Sequence, residues 1–406
     1  VEIKESALRM ANALHHRGPD DSGIWTDTKS GVAIGHRRLA IIDLSSAGHQ
    51  PMFSPNNRYV IAFNGEIYNF RSIRQEIAQY GYSFKGHSDT EVMLAAISHW
   101  GLEKSVARFV GMFAFALWDR KEQTLHLVRD RLGIKPLYYG KINQTFMFSS
   151  ELKGIRAYPN FTPEINRDAL ALYFQYGYIP APYSIYNNIY KLAPGTILGI
   201  NDKTPDSVPI PYWSAEDIVS RGTNNQLMGS TKEVIEKLHS ALSESVKLRM
   251  VSDVPLGCFL SGGLDSSTIV ALAQSHSLSP IKTFTIGFFE NRYNEANNAK
   301  NVARHLGTNH TELYITPKDA LDLIPDMPQK YDEPFSDSSQ IPTFLVSKLA
   351  REHVTVSLSG DGGDELFGGY DRYGIGRDIW HNIGWMPLSI RKLLANTISS
   401  VPIGVL

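Results

Sequence analysis

Two glycine-rich runs carry the residue types that can do chemistry. The first is Leu260-Ser261-Gly262-Gly263-Leu264-Asp265-Ser266-Ser267, entered from an apolar stretch at 254–260 and followed by a helical pattern at 266–276. Glycines let the backbone approach a ligand closely, and the free N–H groups of a turn that opens a helix make an anion site, for which phosphate is the natural guest. The hydroxyls of Ser261, Ser266 and Ser267 add donors, and Asp265 is of the type that holds a Mg²⁺ against a polyphosphate. The Gly-x4-Gly-Lys-Ser/Thr order of a Walker loop is absent, so transfer of a γ-phosphate is not what this run suggests. A lone Ser-Gly-Gly would read better as a plain strand-to-helix turn with Ser266 as N-cap; the full run in a strand-to-helix context reverses that preference and favours phosphate. The second run, Ser359-Gly360-Asp361-Gly362-Gly363-Asp364-Glu365-Leu366-Phe367-Gly368-Gly369-Tyr370, follows an apolar stretch at 354–358 and adds three carboxylates. A solvated acidic loop is the alternative to a metal-binding one. In an open α/β sheet both runs leave the carboxyl ends of strands, where ligands bind, and Asp265 and Asp364 are then expected to share Mg²⁺.

The elements that must position these loops are legible in the periodicity. Val234, Leu238, Leu242 and Val246 recur every fourth residue, which places them on one helix face. Strands are expected at 254–260, 283–288, 312–315 and 354–358, and helices at 266–276, 295–306, 317–330 and 340–352, an alternation that predicts a doubly wound parallel sheet. The first half reads differently. Short alternating stretches at 32–42, 59–63, 67–70, 112–118, 124–129 and 145–149 predict a strand-rich domain, with helices at 73–80 and 90–100. Asn64-Gly65 is the strongest short hairpin signal, and 119–122 is expected to close a second hairpin. Prolines, glycines and asparagines at 204–230 read as turns rather than elements, which gives domains at 1–204 and 231–406 joined by a linker at 205–230.

Composition bounds the function. A chain of 406 residues is long enough for two or three domains. With 40 Lys+Arg against 41 Asp+Glu and a formal charge of −1, the overall basic balance of a nucleic-acid binder is missing. The single cysteine, Cys258, excludes an internal disulfide framework and any multi-cysteine metal cluster, and fits a cytoplasmic protein. No apolar run approaches the roughly 18 residues of a membrane helix, so no membrane partner is expected. The first residue is Val1 and the last residues, 401–406, are apolar, so both ends are expected to be cut from a longer chain.

Ser-Gly-Gly-Leu-Asp-Ser-Ser at 261–267 together with Ser-Gly-Asp-Gly-Gly-Asp-Glu-Leu-Phe-Gly-Gly-Tyr at 359–370 resembles the synthetase domain of glutamine-hydrolysing asparagine synthetases, in the ATP pyrophosphatase superfamily. Independent motifs in the first half resemble the class II glutaminase domain of the same family: His16-Arg17-Gly18-Pro19-Asp20, the run from Gly35 through Arg38 to Asp43, Phe63-Asn64-Gly65-Glu66-Ile67-Tyr68-Asn69, Ser88-Asp89-Thr90-Glu91 and the run from Arg129 to Tyr139. The similarity extends over about residues 14–373. It implies an α/β protein with an N-terminal αββα N-terminal-nucleophile glutaminase domain, short of its first strand, and a truncated C-terminal doubly wound ATP pyrophosphatase domain.

The resemblance also implies roles. Arg38 would clamp the glutamine α-carboxylate, with the backbone of Leu39, Ala40, Ile41 and Ile42 beside it; Asp89 would pair with the α-ammonium and Glu66 would contact the substrate. Asn64 and Gly65 would form the oxyanion hole. These assignments suit the groups: a guanidinium fork fits a carboxylate, and an amide plus a glycine N–H fits a tetrahedral oxyanion. Ser261, Gly262, Gly263, Asp265 and Ser266 would bind pyrophosphate, Leu260, Ile286, Ser359 and Gly360 would line the adenosine site, and Asp265 and Asp364 would hold Mg²⁺. Asp361 stands where some relatives carry glutamate tied to forming the intermediate. The implied reaction is amidation of aspartate through an acyl-adenylate, with ATP and glutamine consumed and a homodimer among the expected assemblies. The class II nucleophile is a cysteine at the mature N-terminus, whose own amine helps activate the thiol. Here Val1 stands first, Cys258 reads as a small buried hydrophobe, and about twenty residues of the family's start are expected to be missing. A catalytic lysine of the family would lie beyond Leu406. Two other readings stay open: the same chemistry on another acid, such as a sugar uronic acid, signalled by the run at 176–182 through Pro194-Gly195, and a catalytically silent nucleotide-binding protein.

Overall fold

A computed structural model describes residues 2–289 and 294–399. The fold is α/β, and its first half is built on strands that are apolar on both faces. Tyr59, Ile61 and Phe63 with Phe113, Phe115 and Leu117 belong to one core, whereas Val60 and Ala62 with Ala114, Ala116 and Trp118 belong to another. Alternation along a strand sends neighbours to opposite faces, so such strands must be covered on both sides. They lie at the centre of a six-stranded antiparallel sheet in the order Ile210–Pro211, Thr196–Ile200, Thr124–Arg129, Gly111–Asp119, Tyr59–Ile67, Met52–Phe53. Helices Phe70–Ala78 and Asp89–Trp100 cover one face through Ile73, Ile77, Val92 and Met93.

The other face meets a second β-layer. It consists of the hairpin Asp21–Asp27 with Val32–Arg38 and a three-stranded sheet ordered Thr145–Ser149, Tyr138–Ile142, Ile189–Lys191. Helices Glu2–Asn12 and Leu152–Arg156 lie behind this layer. The succession helix, sheet, sheet, helix is the αββα arrangement expected of an N-terminal-nucleophile glutaminase.

In the second half four parallel strands run in the order Asn309–Ile315, Lys282–Phe288, Leu256–Phe259, Val356–Leu358. From Leu256–Phe259 the chain steps outward through two strands and then returns to the opposite side, so the topological switch point lies between Leu256–Phe259 and Val356–Leu358. One face packs Val246, Cys258, Leu260, Val270, Ala273 and Ala299, and the other packs Phe284, Ala350 and Val354. The sheet is therefore wound on both sides.

The structure departs from the sequence reading at several places. Asn64 and Gly65 do not turn the chain: they continue the strand Tyr59–Ile67, opposite Ala114 and Phe113. A hairpin turn of type I′ needs left-handed backbone at both central residues, but Gly65 alone has positive φ, at 153°, and a Cβ there would stand 2.1 Å from the Met112 carbonyl oxygen. The strand expected at 32–42 ends at Arg38, and the rest is a loop. The helix expected at 317–330 begins with a Thr316/Asp319 capping box but is broken near Pro325 and Pro328, which lack an N–H donor. On the helix Thr231–Arg249 only Leu242 and Val246 join the core, and Leu238 is exposed. The segment read as turns holds a helix, Ala215–Asn224, capped by Ser214. The hairpin expected at 119–122 forms, with Asp119 accepting the Lys121 and Glu122 N–H groups.

Candidate active sites

A crevice of about 1330 Å³ opens between the two β-layers of the first half. Its walls include Arg38, Leu39, Ile41, Ile42, Asn64, Gly65, Glu66 and Asp89, so the structure brings together all but one of the residues assigned to glutamine. Ala40 is the exception; its N–H donates to Asp20 Oδ2 at 2.9 Å. Arg38 is buried and spends three donors on its own loop, to the carbonyl oxygens of Ile42, Asp43 and Ser45. Asp89 opens the helix Asp89–Trp100 behind an N-cap serine, Ser88, and accepts the Ile67 and Thr90 N–H groups at 2.9 and 2.8 Å. Burial pushes its carboxyl up to about 6 against the pull of those donors. Glu66, 6% exposed, is pushed up to about 7, first by burial and then by the charge of Asp89, with Lys135 and Arg249 pulling the other way.

Asn64 Nδ2 is buried without a partner among the described residues. An unsatisfied buried donor beside a glycine N–H suits a ligand oxygen, because leaving such a group unpaired costs about 1–3 kcal/mol. Two further crevice residues escaped the sequence reading. His36 donates from Nε2 to the Phe63 carbonyl at 3.0 Å, its Nδ1 has no partner among the described residues, and burial drops its pKa to about 4, so the ring is neutral. Lys135 is held below its ordinary range by burial. Its turn is wired by Asp130, whose carboxylate accepts the N–H groups of Leu132, Ile134 and Lys135. Asp130 and Lys135 lay within a quoted motif, but nothing in their spacing separated a structural from a chemical role.

The second site stands at the switch point. Ser261–Gly263 leave the strand Leu256–Phe259, and the helix Leu264–Ser275 begins at once, with Gly263 rather than Ser266 as N-cap. Ser266 Oγ instead ties the loop from inside, bonding Ser261 Oγ at 2.9 Å and accepting the Ser261 N–H at 3.2 Å. Gly262 takes φ +82° and passes so close to the next helix that a Cβ would lie 2.6 Å from the Ala299 nitrogen. The loop 359–364 abuts this one: a Cβ on Gly360 would stand 2.8 Å from the Ser266 nitrogen, and one on Gly363 2.4 Å from Asp265 Oδ2. Asp361 accepts from Ser359 Oγ at 2.9 Å. Leu260 is buried, and Ile286 lies in the neighbouring strand opposite Leu313.

Asp265 and Asp364 carboxylates make no hydrogen bond or ion pair with described residues, although Asp364 rests against Gly369 rather than facing Gly363 as Asp265 does. Among the described residues no group of three or more His, Cys, Asp or Glu gathers as a metal cage. Two unpaired carboxylates on touching loops fit Mg²⁺, which binds through one or two carboxylates plus substrate phosphates and keeps its waters. Cys258 lies in the strand below this loop, fully buried, with its thiol pushed up to about 12 by burial, and it lines no part of the crevice in the first half. No helix among the described residues is long and apolar enough to cross a membrane.

Comparison with known proteins agrees with both halves. Residues 1–213 match the model of the glutamine amidotransferase domain, and residues 237–401 match that of asparagine synthase. A putative asparagine synthetase [glutamine-hydrolyzing] 2 of Methanocaldococcus jannaschii is 41% identical over 96% of this chain and 76% of its own length. Asparagine synthetase [glutamine-hydrolyzing] 1 of Bacillus subtilis is 36% identical over the whole chain, and asparagine synthetase B of Escherichia coli is 33% identical over 91% of it. The chain spans 62% of the length of each of these two relatives. With both domain models matched in order and identity sustained across the two halves, this chain belongs to the glutamine-hydrolysing asparagine synthetase family.

Proposed function

We propose that this chain belongs to a cytoplasmic enzyme that amidates aspartate to asparagine with ATP and glutamine. The observation that carries the reading is the pair of touching glycine loops at the switch point, with unpaired Asp265 and Asp364, in the same chain as a buried pocket holding Arg38, Glu66 and Asp89. Bound Mg²⁺ would neutralise the departing pyrophosphate. Asp265 and Asp364 would hold the ion, the N–H groups of Gly262 and Gly263 and the Ser261 and Ser266 hydroxyls would cradle phosphate oxygens, and Leu260, Ile286, Ser359 and Gly360 would receive the adenosine. The aspartate carboxylate attacks the α-phosphorus, pyrophosphate leaves, and ammonia then displaces AMP from the acyl-adenylate. Asp361, which accepts from Ser359 Oγ, would act at that step.

In the glutamine pocket Asp89 would hold the α-ammonium and Arg38 with the 39–42 loop the α-carboxylate, while Asn64 Nδ2 and the Gly65 N–H would stabilise the oxyanion. Cys258 supplies no nucleophile there. The reading therefore includes an extended strand, carrying an N-terminal cysteine, seated in the crevice. Two features support such a guest. Strands Val32–Arg38 and Thr145–Ser149 both line the crevice, and each is the edge of its own small sheet, so one strand between them would join the two into a single layer. The crevice also borders the unpartnered donors Asn64 Nδ2 and Trp118 Nε1.

The test is nucleotide analysis of the full-length protein with ATP, Mg²⁺ and ammonium. AMP and pyrophosphate formed only when aspartate is present support the reading; AMP formed with a uronic acid and not with aspartate would move the substrate to another acid, and no AMP with any acid would overturn it.

A further inference from the structure

The segment that precedes the pyrophosphate loop is docked on the glutamine pocket. Arg249 sits 4.4 Å over the Tyr68 ring, and Val251 packs against the core of the first half. Asp253 makes the tightest connection. Its N–H donates to the Ile41 carbonyl at 3.0 Å, and its Oδ2 accepts the Asp43 N–H at 2.8 Å and bonds His87 Nε2 at 2.7 Å. The three partners lie on two loops that would hold substrate: Ile41 and Asp43 end the 39–43 loop, and His87 precedes Ser88 and Asp89. Asp43 joins these loops from within. It is fully buried with φ +60°, and its carboxylate accepts the N–H groups of Ser45 and His87 at 3.1 and 2.8 Å. A non-glycine residue in left-handed backbone is strained and persists only where its surroundings hold it. Asp253 supplies part of that hold, from 166 residues beyond His87 in sequence.

We infer that Asp253 is a positioning residue of the glutamine site, contributed by the synthetase half, and that the loops for the α-carboxylate and the α-ammonium reach their working geometry only when the halves are docked. This rests on the proposed function and deepens it. Three contacts converge on one carboxylate and one N–H, two to the loop that would hold the α-carboxylate and one to the loop that would hold the α-ammonium of the same amino acid. Eight residues further on the chain reaches Ser261, so the brace is joined to the pyrophosphate loop by one short strand.

The test compares Asp253→Ala and the isosteric Asp253→Asn with the wild type in the full-length enzyme, using glutamine or ammonium as nitrogen source. Asp253→Ala is expected to raise the glutamine KM about tenfold, the effect of losing one charge-assisted hydrogen bond, and to leave ammonium-supported AMP formation within about twofold. Asp253→Asn, whose amide oxygen still accepts the Asp43 N–H, is expected to fall between. An unchanged glutamine KM overturns the inference, and so does a parallel fall in ammonium-supported activity, which would mark a general structural role. Hydrogen exchange gives a readout independent of activity: peptides covering 41–45 exchange faster in Asp253→Ala, and equal exchange overturns the inference even if the wild type forms no asparagine. Failure of the functional reading is visible separately, in the wild type's lack of aspartate-dependent AMP.

Discussion

Glu66 offers a stability measurement that reaches inside the crevice of the first half. Its carboxyl titrates near 7 in the folded chain against an ordinary 4.5, because burial and the Asp89 charge disfavour ionisation more than Lys135 and Arg249 favour it. The folded state therefore binds more protons than the unfolded state between about pH 4.5 and 7, and stability falls across that window as pH rises. At 1.36 kcal/mol per pH unit the loss is about 3 kcal/mol, complete above pH 7. Glu66→Gln keeps the shape and removes the charge, so it is expected to stabilise the protein at pH 8 by up to about 3 kcal/mol, or about 6–12 °C in melting temperature for a domain of this size, and to have little effect at pH 5. Calorimetric scans of both proteins at the two pH values test this. A melting-temperature difference that is the same at pH 5 and pH 8 would refute the reasoning, since it would show that Glu66 ionises normally when folded.

Other substitutions probe the remaining parts. Gly65→Ala places a Cβ against the Met112 carbonyl in a backbone conformation that side chains avoid, and is expected to cost about 2–4 kcal/mol, read as a lowered denaturation midpoint. Asp265→Asn is expected to reduce Mg²⁺-dependent AMP formation by at least about a hundredfold while glutamine hydrolysis persists, measured by separate AMP and glutamate assays. Cys258→Ala is expected to retain glutamine hydrolysis in the full-length enzyme, and the native Cys258 thiol is expected to react with a disulfide reagent only on unfolding.

Local signals explain how much of this could be read in the sequence. The parallel strands and crossover helices were legible because Leu260, Phe284 and Ile315 sit in apolar runs bounded by glycine, proline or capping residues, and the glycine loops announced the switch point. Asn64-Gly65 misled because a dipeptide with a strong turn preference is held extended by pairing with Gly111–Asp119 along its whole length, a non-local force. Leu238 shows the converse: its spacing was helical and correct, but periodicity cannot say whether a partner covers the face. The helix Glu2–Asn12 was not read from the sequence, and in the fold it buries only Ala11. The types of Arg38, Glu66 and Asp89 were plain, yet their gathering around one crevice depends on three separate elements. Asp253 and His87 lie too far apart in sequence for spacing to connect them, and only the docked halves reveal the brace.

In the proposed function, one chain couples nitrogen from the buried pocket to an adenylated acid at the switch point. The most direct measurement follows amide-¹⁵N-labelled glutamine in the full-length protein with aspartate, ATP and Mg²⁺. The expected result is ¹⁵N in the side-chain amide of asparagine, in equal amount to the AMP formed. Label found only as free ammonium, or asparagine formed alongside ADP and phosphate in place of AMP and pyrophosphate, would contradict it.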